Sequence, residues 1–249
     1  MFEAIRLHSW YAMPQGQVVV RLISEVLNQW WRGQQASHHA LGFGFAQPYF
    51  GCAAHWTHSL LGASPAEMGV MPWPADSNRV ALVRPDALPF PDATFDRVIM
   101  THLLEGSFSA HAVLRESWRV LEPGGRLLLM VTNRGGLWAR HDSTPFGWGR
   151  PFSPRQVRTL LEEAFFIPRQ FCYALFMPPL SGDYWLRTAS AWEKAGQRWF
   201  APLGGVILAE AEKVVYAVRP LHQPARMMSG PMVIPVTERH QSHPCQSHL

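Results

Sequence analysis

Residues 79–132 read RVALVRPDALPFPDATFDRVIMTHLLEGSFSAHAVLRESWRVLEPGGRLLLMVT, and this stretch decides the fold. Two short apolar runs, 97–100 and 127–131, flank a segment with helical spacing. That segment sets Ala112, Leu114, Trp118, Val120 and Leu121 among charged residues. Leu-Glu-Pro-Gly-Gly, 121–125, follows. Its glycine supplies a left-handed helix cap, and Pro123 cannot continue the hydrogen-bond ladder. A buried strand, a crossover helix and a second buried strand make a right-handed βαβ unit of a parallel sheet.

The same residues carry a family resemblance. Asp86-Ala-Leu-Pro-Phe-Pro-Asp-Ala-Thr-Phe-Asp-Arg-Val, then Leu-Arg-Glu-Ser-Trp-Arg-Val-Leu-Glu-Pro-Gly-Gly-Arg-Leu, resembles the second half of a class I S-adenosylmethionine-dependent methyltransferase domain, type 11 group. The resemblance covers 38–176 in order and is dense over 79–132. It implies a doubly wound, Rossmann-like α/β sheet of seven strands, mostly parallel. The last strand is antiparallel and inserted between its neighbours.

Outward from the central stretch, 58–61 and 80–83 read as the second and third strands. Residues 169–176 and 205–218 read as the closing pair. Residues 14–31 carry an i, i+3/i+4 apolar stripe behind Pro14, with Gly33 as the stop. This helix covers the sheet or caps a cofactor pocket. Residues 1–12 are an extension packed on the domain. Residues 70–78, VMPWPADSN, read as a loop where the family has a helix. Trp73 there walls a pocket or plugs a sheet edge. Residues 1–220 form one domain, and 221–249, rich in Pro, Ser, Gln and His, read as a disordered tail.

Ala40-Leu41-Gly42-Phe43-Gly44-Phe45-Ala46 matches the family's glycine turn in degenerate form. Gly42 and Gly44 stand for the first two glycines and Ala46 for the third. Ala40 occupies the place of an acidic residue. Ala63, with Ser64 beside it, occupies the place of the ribose-binding carboxylate. Glu67 lies one helical turn further on. The resemblance implies a cofactor site lined by Gly42, Phe43, Gly44, Ser64, Asp86, Ala87 and Thr101. Asp86 would accept from the adenine amino group, and the next backbone N–H would meet a ring nitrogen. A carboxylate on a ribose diol is a strong charge-assisted interaction, so its loss weakens or removes cofactor binding.

His102 follows the fourth strand, where the reactive methyl belongs. It is a general base or a hydrogen-bonded loop residue. Glu105 is a candidate for the pocket rim. After the fifth strand, Arg134, Trp138 and Arg140, with Arg150 beyond, suggest a substrate loop. Its arginines clamp an anion or bridge to neighbouring carboxylates.

Composition narrows the partners. The 249-residue chain is 47% hydrophobic and has a net charge of +4 without a basic run. A nucleic-acid partner is not expected. The cysteines at 52, 172 and 245 are isolated, and the histidines near 245 fit no zinc spacing, so no metal site is expected. The N-terminus lacks signal-peptide character, and no apolar run reaches spanning length, so a cytoplasmic protein without a membrane partner is expected. Eleven tryptophans suggest extra packing surface. Those of the 183–200 stripe suit a pocket cover or a homodimer contact.

Three functions remain. The first is methyl transfer from S-adenosylmethionine to a small-molecule acceptor, His102 being the one catalytic candidate. The second is a non-catalytic methyltransferase-like binding or scaffold protein, favoured by Ala40, Ala63, the Phe43/Phe45 pair and the tryptophans. The third is a nicotinamide-dependent oxidoreductase, which would also want an acid near Ala63.

Overall fold

The computed structural model describes residues 3–31, 36–180 and 182–215. The helix stop at Gly33 and the tail at 221–249 lie outside them. Seven strands form one sheet: β1 (Ser37–Gly44), β2 (Thr57–Pro65), β3 (Val80–Val83), β4 (Phe95–Thr101), β5 (Leu121–Thr132), β6 (Phe166–Ala174) and β7 (Val206–Lys213). Their order is β3-β2-β1-β4-β5-β7-β6. β1 to β5 pair in parallel, and β7 runs antiparallel to both β5 and β6. The seven-stranded, doubly wound sheet with its inserted antiparallel strand is therefore present. An antiparallel β7 between β5 and β6 departs from the 3-2-1-4-5-6 order of dinucleotide-binding sheets.

Side-chain alternation sorts the core into two layers. Ala40, Leu60, Ile99, Leu128, Met130 and Leu208 face one cluster. That side is covered by α1 (Ala4–Ala12), α2 (Pro14–Trp31) and the short α3 (Phe50–Ala53). Leu41, Phe43, Val98, Met100, Leu127, Leu129 and Ile207 face the other cluster. There α4 (Ala110–Val120) and α5 (Pro154–Glu163) pack. The Pro14 helix thus covers a sheet face, and residues 4–12 are themselves helical. α6 (Asp183–Trp199) packs beside α2 and β6. Ser153 caps α5 in a capping box with Gln156, and Pro154 opens the helix.

Several boundaries move. β2 runs on to Pro65, so Ala63 lies inside the strand, fully buried in the second core layer. β4 begins at Phe95, and β6 spans 166–174. α4 ends at Val120, where Leu121 is already extended. Gly124 is left-handed (φ 79°), but it sits in the irregular start of β5, not in a helix cap. The register shifts there between the Phe95↔Leu121 and Arg97↔Arg126 pairs. Pro123 therefore ends the helix, and the glycines let the chain bulge into the strand.

The loop between β3 and β4 is held by Arg119 of α4. Its guanidinium donates to Glu116 (2.8 and 2.9 Å), Asp92 (2.7 Å) and the Leu88 and Phe90 carbonyls (3.0 and 2.8 Å). Glu116 also accepts from the Leu88 N–H at 2.8 Å. Arg119→Ala leaves these acceptors to water and should cost about 1–3 kcal/mol, since hydrogen bonds to charged groups are worth this much. The melting midpoint should fall by roughly 5 °C, and hydrogen exchange should speed up in 84–94 more than in the strands.

Candidate functional site

Strand order reverses between β1 and β4, and open α/β sheets bind ligands outside the carboxyl ends of strands at such a point. The two strand tips are locked together. Phe45 N donates to Thr101 O (3.0 Å), and Thr101 Oγ1 donates to Phe45 O (2.6 Å). Gly44 turns between them at φ 83°, and a Cβ there would lie 2.3 Å from Thr101 O. Both the left-handed backbone and the close approach demand glycine.

His102 follows at φ 51° and is 2% exposed. Its Nε2 lies 2.7 Å from the Tyr11 hydroxyl, which lies 3.3 Å from the Tyr49 hydroxyl. Burial pushes the imidazole down to about 3, so it is neutral at ordinary pH. Burial, then the neighbouring Tyr49, holds the Tyr11 phenol well above its usual value. Tyr11 comes from α1, as does Trp10, which packs edge-on against Trp138 and Phe146. Tyr11 stacks on Phe45 at 6.0 Å, and His102 lies against Phe146 at 5.2 Å. α1 therefore fills the crevice above the β1/β4 switch point with its own aromatic rings. Its first N–H donates to Met68 O in the turn after β2 (2.7 Å), which ties down its other end.

Glu105 lies just beyond, 4% exposed. Its Oε1 accepts from Thr132 N (2.8 Å) and Thr132 Oγ1 (3.3 Å). Its Oε2 is buried with no hydrogen-bond partner among the described residues. Desolvation outweighs the Thr132 bonds and raises the carboxyl to about 7.

Gly42 is covered by Phe50: a Cβ at 42 would lie 2.2 Å from the Phe50 ring. Phe43 points into the opposite core layer. Ser64 is buried and donates to Gly69 O at 2.6 Å. Glu67 is exposed. Asp86 pairs with Arg84 through two bonds (3.0 and 3.2 Å), and its side chain is 49% exposed. The Arg84 guanidinium holds its carboxyl below the usual range. The Ala87 N–H is taken by Arg84 O at 3.1 Å. Trp138 is fully buried and donates to Met177 O at 2.8 Å. Arg134 and Arg140 are exposed, and the Arg134 guanidinium donates to Pro151 O at 3.3 Å. Trp138 points inward while these arginines lie at the surface, so the three do not converge.

Beside Tyr11 lies a cavity of about 250 Å³ between α1, α2 and the turns after β1 and β2. Tyr11, Phe45, Met71 and Trp73 line it, with His8, Gln17 and Gln47 as polar groups and no Asp, Glu, Lys or Arg among the described residues. Trp73 thus walls a cavity, and its ring also packs on Phe50. Tyr11 and Phe50 escaped the sequence reading. The adjacent Trp10-Tyr11 pair on an apolar helix face was the available signal.

This architecture is that of class I, Rossmann-like methyltransferases. Residues 50–129 match the family model described as "Methyltransferase domain". A 45-residue stretch is 51% identical to the ubiquinone/menaquinone biosynthesis C-methyltransferase UbiE of Pasteurella multocida, covering 18% of this chain and 17% of that protein. The match thus spans about a sixth of the length of such curated relatives. Among solved structures, a SAM-dependent methyltransferase from Archaeoglobus fulgidus superposes with a TM-score of 0.56 at 13% identity, over 78% of this chain and 94% of that one. The [4+2]-cyclase SpnF superposes at 0.55 and 20% identity, over 83% and 87%. The chain thus has the fold of class I methyltransferases, and its central segment matches the methyltransferase-domain model.

In the described conformation several groups that the resemblance assigns to the cofactor already have partners within the chain. The tips of β1 and β2 offer no carboxylate, the Ser64 hydroxyl and Ala87 N–H are committed, and Tyr11 and Trp10 occupy the crevice.

The Glu105 carboxyl gives a pH test. Below about pH 4.5 the folded and unfolded chains both hold its proton. Between about 4.5 and 7 only the folded chain does, so this group costs stability as pH rises through that window. His102 has the opposite sign, losing stability as pH falls below its unfolded value, and it is common to both proteins compared. Glu105→Gln mimics the protonated form. Its melting temperature relative to the parent should therefore climb between about pH 5 and 7.5. A flat difference would show that the carboxyl is ionised in the fold.

Proposed function

We propose that this chain transfers a methyl group from S-adenosylmethionine to a small uncharged acceptor, in a form in which α1 has left the strand tips. The family match over residues 50–129, set on the complete seven-stranded sheet, carries this reading. The cofactor would supply an electrophilic methyl with a neutral leaving group, chemistry that needs alignment and exclusion of water more than a base. His102 fits that economy. It is buried and neutral and bonded to Tyr11, which suits it to holding α1 shut rather than to moving a proton. The cavity beside Tyr11 supports an uncharged acceptor, because no carboxylate, lysine or arginine among the described residues lines it.

A second reading, a binding protein that has lost the cofactor, is favoured by a specific observation. Phe50 covers Gly42, and alanines stand at 40 and 63. These features persist whether or not α1 moves. SpnF, described as a [4+2]-cyclase, shows that this fold need not be named for methyl transfer.

Calorimetry with S-adenosylhomocysteine separates the two. A closed resting form reduces apparent affinity by the fraction that is open. The parent should bind weakly, and Tyr11→Ala should bind about tenfold or more tightly, since it removes the ring and the hydrogen bond that hold α1. If neither protein binds at millimolar ligand while both remain folded by circular dichroism, the cofactor reading fails and the second stands.

A further inference from the structure

α6 buries one strip, half-buries Trp185, Leu186 and Thr188, and leaves its remaining surface outward. Ala189, Glu193 and Gly196 face the protein. On its outer surface two stripes run side by side at helical spacing. One holds Tyr184, Thr188, Trp192, Ala195 and Trp199; the other holds Arg187, Ala191, Lys194 and Arg198. The aromatic stripe is open to solvent: Tyr184 is 69% exposed, Trp192 39% and Trp199 72%. The turn that follows adds Phe200 at 57% and Leu203 at 54%. Arg187, Lys194 and Arg198 are all exposed, and the Arg198 guanidinium lies 5.7 Å from the Trp199 ring centre.

We propose that this face docks on an anionic lipid bilayer. Tryptophan and tyrosine favour the headgroup level, where an apolar ring and a polar N–H or O–H are both satisfied. A helix with aromatics on one flank and cations on the next lies in the plane of the interface, its cations against lipid phosphates. Charge also weighs against self-pairing. The helix has two carboxylates, Asp183 at its start and Glu193, which is buried. A two-fold contact sets a surface against itself, so the row of cations would meet its own copy with no acidic row to answer it. The lack of a long apolar helix among the described residues does not conflict with this, because an interfacial helix does not cross the membrane. The proposal concerns α6 alone and is independent of the cofactor reading.

The test is co-sedimentation of the full chain with vesicles of phosphatidylcholine, with and without phosphatidylglycerol. The protein should bind the phosphatidylglycerol vesicles and release as salt is raised. Trp199→Ala with Phe200→Ala, and separately Arg187→Glu with Arg198→Glu, should each lower the partition coefficient about tenfold or more. All four residues are exposed, so circular dichroism should be unchanged. Failure to bind phosphatidylglycerol vesicles overturns the proposal, as does binding that neither variant alters. A dimer in analytical ultracentrifugation that both variants dissolve would instead assign the face to a second copy and overturn it as well.

Discussion

The hydrogen bond between Tyr11 and His102 joins the first helix to the far end of the fourth strand, and the rings of Phe45, Tyr49 and Phe146 gather around it. A buried imidazole with an unsatisfied nitrogen would be costly, as would a buried phenol. Each meets the other's need at 2.7 Å. The pairing sets how far α1 reaches over the sheet, and so where Trp10 lands between Trp138 and Phe146. His102 meets Tyr11 from a left-handed step of the chain. Just before it, the paired bonds of Thr101 and Phe45 fix the strand tip from which that step is taken. The outcome is a strand-end crevice filled from within.

The strands were legible because a parallel sheet buried on both faces needs continuous apolar runs, and 97–100 and 127–131 are such runs. Their lengths were less so. Gly62 to Pro65 and Phe95-Asp96 carry turn formers or a charge, yet they lie within strands because their neighbours supply the ladder. Leu-Glu-Pro-Gly-Gly signals a helix end, and a helix does end there. What the local signal lacked was the partner strand that turns the glycines into a bulge.

The glycine turn of the site was legible for the same local reason: Gly44 has a backbone that only glycine adopts easily. The filling of the crevice was not. Tyr11 and His102 are 91 residues apart, and nothing near either announces the other. Asp86 looks like an adenine partner in a string of letters. Arg84, two residues before it, takes its carboxylate, and the same turn takes the Ala87 N–H. Resemblance places a residue at a position but does not name the side chains around it.

One contact beneath α6 has a mechanical meaning. Gly196 rests directly on Phe176, with no room for a Cβ, and Glu193 accepts the Phe176 N–H at 2.7 Å. The helix is thus pinned twice to the residue two beyond the end of β6. It cannot roll about its long axis without breaking the bond or driving its backbone into a ring. A load applied to its outer side would pass through that double pin toward the antiparallel edge of the sheet, as through a bracket rather than a hinge.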